Sequence, residues 1–81
     1  MKTMVQVTIR CVNARNPAET LESVAVTMGD RTQLTNMQGE TTFDVTVPTA
    51  LNLRSAGFLP HNQIITQAGI YTIQLREAKA F

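Results

Sequence analysis

Cysteine occurs once in the 81 residues, at Cys11, so an internal disulfide framework is excluded. Many extracellular domains of this size are stapled by disulfides, and this one is not. There is no tryptophan, one tyrosine and one histidine. The aromatic surface on which carbohydrate-binding modules and nucleic-acid platforms stack their ligands is therefore thin. A single histidine, His61, excludes the two-histidine metal signatures, those of metallopeptidases included. The net charge is only +1, which gives no electrostatic case for nucleic acid or an acidic membrane as partner. No stretch approaches the roughly 18 apolar residues of a membrane helix. Near the start, the apolar residues alternate with Gln6, Thr8 and Arg10 instead of forming the continuous segment of a signal peptide. No window has a helical period, and there is no internal repeat, linker or low-complexity segment.

What the chain does have is alternation. Hydrophobic content of 43% suffices for a globular fold, and the length fits one domain over 1–81, with a core over about 4–76. A chain this short buries about 60–65% of its unfolded surface, so the core is small. Val5, Val7, Ile9 and Cys11 share one face of a first strand, Met4 to Val12, and Gln6, Thr8 and Arg10 the other. The segment Asn13 to Thr20 reads as a surface loop, with Leu21 tucked back under the sheet. A second strand, Ser23 to Met28, and a third, Arg31 to Thr35 with Leu34 as its buried residue, flank a Gly29-Asp30 hairpin dipeptide. Further strands are expected at Glu40 to Val47, Ala50 to Ser55 with Leu51 and Leu53 inward, Gln63 to Thr66, and Ile70 to Arg76 with Tyr71, Ile73 and Leu75 alternating. Ile64 and Ile65 give the short sixth strand a two-sided apolar spot. Seven short strands at spacings of about ten residues predict an all-β, antiparallel two-sheet sandwich.

The stretch Thr35 to Pro48 organises this pattern. Gly39 supplies the positive φ that a tight connection needs, and Asn36 tolerates it. Thr41, Phe43, Val45 and Val47 then point one way, Thr42, Asp44 and Thr46 the other, and Pro48 ends the run. A Gly39→Val change is expected to disrupt folding first. In order along the chain stand Leu21 ahead of Val24-Ala25-Val26, Thr35-Asn36-Met37-Gln38-Gly39-Glu40, Phe43-Asp44-Val45, Ser55-Ala56-Gly57-Phe58 and Tyr71-Thr72-Ile73-Gln74-Leu75. Together they resemble the carboxypeptidase-regulatory-like domains, a transthyretin-like (prealbumin-like) β-sandwich family, with bacterial immunoglobulin-like modules as the near alternative. In the first family a Thr-Asp-x-x-Gly turn precedes an aromatic-bearing strand. Here Asn36 stands for the Asp, and Phe43 comes two positions later than the commonest spacing. The resemblance covers roughly residues 4–76. It implies a sandwich and a non-catalytic accessory role: an adhesin stalk, a domain appended to an enzyme or transporter, or a virion decoration module.

The chemistry-bearing residues do not assemble into a catalytic set on paper. His61 lies in a Pro-Asn loop without a second histidine. Cys11 sits on an apolar face, where a buried inert thiol is expected. Glu40 and Asp44 share a face but stand roughly 13 Å apart along a strand, beyond the spacing of glycosidase carboxylates. No Asp-x-Asp spacing supports calcium, and no Gly-rich phosphate loop or Ser-His-Asp set is present. No cofactor is expected, and the chain is expected not to be an enzyme. Arg10, Arg54 and Arg76 all fall on outward positions and are candidates for a basic patch that grips an acidic partner. Phe81 is a candidate terminal anchor into a neighbouring subunit.

These readings lead to a structural or interaction module that assembles with itself or a larger partner. The concrete expectation is a phage virion protein, a capsid auxiliary or decoration subunit, made in the host cytoplasm and opening on its own Met1. The alternative is an accessory domain of a bacterial surface protein or enzyme, excised from a longer chain, that recognises glycan or protein. It would do so through end loops at Asn13–Thr20, Met37–Gly39 and Leu59–Asn62.

Overall fold

The computed structural model describes residues 3–78. Among these residues eight strands form, one more than the alternation predicts: β1 (Met4–Asn13), β2 (Asn16–Thr20), β3 (Ala25–Met28), β4 (Arg31–Leu34), β5 (Glu40–Thr46), β6 (Thr49–Arg54), β7 (His61–Ile65) and β8 (Gly69–Leu75). They make two four-stranded sheets packed as a sandwich. In the first, β5 and β2 lie along one edge of β1 and β8 along the other; the second runs β4-β3-β6-β7. All pairings are antiparallel except β1 with β8, which is parallel, Val7 to Asn13 beside Gly69 to Leu75.

The extra strand is β2, in the segment read as a loop. Asn16-Pro17-Ala18-Glu19-Thr20 has no apolar face to alternate, and all but Thr20 are exposed. It counts as a strand through backbone pairing alone, with Val12 opposite Thr20 and Asn13 opposite Asn16 across a bulge.

Alternation sets the core. Val7, Ile9 and Cys11 of β1, Val26 and Met28 of β3, Phe43 and Val45 of β5, Leu51 and Leu53 of β6, Ile65 of β7, and Ile73 and Leu75 of β8 are buried between the sheets. Leu21 and Val24, from the chain between β2 and β3, close the same cluster. Val5, Val47, Phe58 and Tyr71 pack on its margins. Burying each such side chain contributes about 1.5–3 kcal/mol, which is the main force joining the sheets.

Leu34 corrects one expectation. It was expected inside and is 62% exposed. The Gly29-Asp30 loop pairs Met28 with Arg31 and Ala25 with Leu34, so Leu34 follows Ala25 onto the outer face. Gln33 turns inward beside Val26 instead, and its Oε1 accepts a hydrogen bond from Thr41 Oγ1 at 2.6 Å. Ile64 and Ile65 divide similarly: Ile65 is fully buried and Ile64 is 62% exposed.

Candidate functional site

The turn from Thr35 to Glu40 is a hydrogen-bonding hub. Thr35 is buried, its Oγ1 donating to Leu21 O at 2.7 Å and accepting from the Val24 N–H at 2.9 Å. Its own N–H donates to Val24 O, and its carbonyl accepts from the Ser23 N–H. Asn36 Oδ1 accepts from the N–H groups of Gln38 and Glu40, at 2.9 and 3.0 Å. The Gly39 N–H donates to Asn36 O and the Glu40 carbonyl accepts from the Asn36 N–H, so the turn is closed on itself. A side-chain amide oxygen accepts here as a carboxylate would, so Asn36 holds the turn closed. These bonds hold the segment before β3 and the start of β5 together.

The sequence-predicted residues do not converge. Cys11 is fully buried, and burial pushes its thiol from 9.0 up to about 11, which disfavours the nucleophilic thiolate. His61 Nε2 lies 2.7 Å from Gln63 Oε1, two residues along β7. Glu40 faces Arg10, with Arg10 Nε 4.0 Å from Glu40 Oε2 on an exposed surface, while Asp44 lies opposite Gln6. Arg10 is on the outer face of the first sheet, and Arg54, next to inward Leu53, is on the outer face of the second. Those faces point in opposite directions, so the two do not share a patch. Arg76 keeps the outward parity of Gln74 just beyond β8, and stands four residues past Thr72, the partner of Arg10, or roughly 13 Å along the strand. Phe81 lies outside the described residues.

A polar cluster that sequence reasoning missed sits where β1 ends. Asn13 is buried, and its Nδ2 donates to Glu77 Oε2 at 2.9 Å and more weakly to Glu19 Oε1 at 3.4 Å. Asn13 Oδ1 accepts from the Arg15 N–H, and Arg15 Nη1 stands 3.5 Å from Glu77 Oε1. These contacts tie β2 and the chain after β8 to β1, and the groups satisfy one another. Nothing local in sequence marks Asn13, because its partners are distant. Among the described residues no group of three or more His, Cys, Asp or Glu could hold a metal ion. Two clefts are shallow: one of about 220 Å³ at the β3–β4 hairpin end, lined by Met4, Asp30 and Asp44 among others, and one of about 140 Å³ by His61 and Arg76.

The most unusual surface is one side of the sandwich. β7 ends one sheet and β8 ends the other, and the two are joined by residues 66–68. Among the described residues β7 pairs only with β6, and β8 only with β1. Each therefore offers a free backbone edge. The chain carries no Asp, Glu, Lys or Arg between Arg54 and Arg76, so neither edge has a charge. The other edges are guarded: β2 by Pro17 and Glu19, β4 by Arg31, β5 by Glu40 and Asp44. Ile64 on β7 and Ile70 on β8 are 62% and 74% exposed. Charges and prolines are the usual protection of a strand edge against pairing with another chain, and this side has none on its strands. The uncharged run was visible in sequence, but its meaning depends on both strands being edges.

No protein-family model matches the chain, and no curated protein matches it in sequence. No helix among the described residues is long and apolar enough to cross a membrane.

Proposed function

We propose that the chain is a non-enzymatic interaction module of the transthyretin-like or immunoglobulin-like kind that joins a larger protein assembly. Its concrete form is a capsid auxiliary or decoration protein of a tailed-phage virion. The uncharged, unpaired β7–β8 side carries this reading. A strand edge recognises protein by main-chain hydrogen bonds, which need no cofactor and no cluster of reactive side chains. Burial against a lattice would also add stability that a core this small supplies sparingly. The order of motifs around Thr35–Gly39 supports the accessory-domain kinship.

The test is whether capsid and portal genes flank the gene of this chain, with their absence contradicting the reading, and then co-expression of the chain with them, followed by sedimentation of the particles formed. Pelleting of the chain with the particles supports the reading. A chain that stays in the supernatant while particles form contradicts it.

A further inference from the structure

We infer that β8 is a self-pairing edge: two copies of the chain join β8 to β8 antiparallel about a two-fold axis at Thr72, making one continuous sheet across the pair. This deepens the assembly reading and rests on it in supposing that the open side is an interface.

The direction of the backbone groups sets the geometry. The Leu75 carbonyl accepts from the Ala14 N–H, so it points toward β1. The Arg76 carbonyl points the other way and accepts from the Leu59 N–H. Because the backbone groups of successive strand residues point to opposite edges, Tyr71, Ile73 and Leu75 spend theirs on β1 while Ile70, Thr72 and Gln74 present theirs outward. Beyond Gln74 the same edge is already occupied, since Phe58 bridges Glu77 and the Ala78 N–H donates to Gly57 O. The open edge is thus a bounded segment centred on Thr72.

A segment with three outward positions at even spacing is self-complementary when inverted. Thr72 meets its own copy, and Ile70 meets Gln74 of the other chain on both sides of the axis. All three are hydrogen-bonded pairs, so the edge gains about six backbone hydrogen bonds, two from each pair. The intervening Tyr71 and Ile73 meet across the inner face, an aromatic–β-branched pairing that antiparallel sheets favour. No charged residue of either copy lies within the paired segment, so no like charges oppose one another. A two-fold contact of this kind is isologous and closes at two copies.

The test uses the full chain in analytical ultracentrifugation and light scattering. The wild type is expected at twice its 8.9 kDa mass. Ile70 and Gln74 are both exposed, so substitutions there leave the core alone. The I70K/Q74K chain sets like charges opposite each other in this register and is expected to run as a monomer with an unchanged circular dichroism spectrum. The I70K/Q74E chain sets opposite charges together and is expected to stay dimeric. A wild type that is monomeric at its highest soluble concentration overturns the inference, as does an I70K/Q74K chain that stays dimeric. A monomer that still pellets with particles removes self-pairing and leaves the virion reading standing. A dimer that never pellets supports self-pairing and removes the virion reading.

Discussion

Gly39 lies against the backbone of Cys11: the Cys11 N–H donates to Gly39 O at 2.8 Å, and a Cβ on Gly39 would fall 2.6 Å from Cys11 O. The same Cys11 carbonyl accepts from the Leu21 N–H at 2.9 Å. Cys11 is thus the residue at which the edge of β1 passes from β5 to the segment ending β2, and Gly39 fills the junction where no side chain fits.

Gly39→Ala is therefore expected to cost more than a positive φ alone. Gly39 and Gly57 have φ of +79 and +82, but a Cβ on Gly57 meets nothing within 4 Å. Gly57→Ala should cost about 1–2 kcal/mol through backbone strain. Gly39→Ala adds a backbone collision and should lose about 3 kcal/mol or more. Urea midpoints for the two variants check this, and equal losses would contradict the junction.

Thr35 offers a second comparison. Thr35→Val keeps the shape but strands the Val24 N–H and the Leu21 carbonyl, both bonded to the hydroxyl. An unsatisfied buried group costs about 1–3 kcal/mol, so Thr35→Val should be clearly destabilised. Thr35→Ser keeps both bonds and should lose less. Chemical denaturation of both checks the order.

The Cys11 thiol makes stability depend on alkaline pH. Its folded value is about 11, against 9.0 without the fold. The unfolded chain therefore releases its proton first as pH rises. The thiol's contribution is fully present below pH 9 and is lost as pH rises toward 11, about 3 kcal/mol in all. Unfolding free energies of wild type and Cys11→Ala should converge in slope below pH 9 and diverge above it. Native protein should also resist iodoacetamide at neutral pH and react once unfolded.

Much of this fold was legible in sequence, and the gaps have physical causes. Alternation located β1, β5, β6 and β8 because one face of each is apolar. It could not show β2, whose residues carry no apolar face and pair through backbone alone. Hydrophobicity alone puts Leu34 inside, whereas the Gly29-Asp30 loop, pairing Met28 with Arg31 and Ala25 with Leu34, sends it outward. Alternation also cannot say which strands are neighbours. The parallel pairing of β1 with β8, and with it the open side, became visible only in three dimensions. The Arg10, Arg54 and Arg76 candidates were rightly placed outward, yet Arg10 and Arg54 lie on opposite sheets, which single-strand patterns do not resolve.

The open β8 edge is tested most directly by amide hydrogen exchange of the full chain, read residue by residue. In the paired state the Ile70, Thr72 and Gln74 amides should be protected along with those of Tyr71 and Ile73. In the I70K/Q74K chain the first three should exchange freely while Tyr71 and Ile73, bonded to β1, stay slow. Fast exchange at Ile70, Thr72 and Gln74 in concentrated wild type, unchanged by the substitutions, would contradict the account.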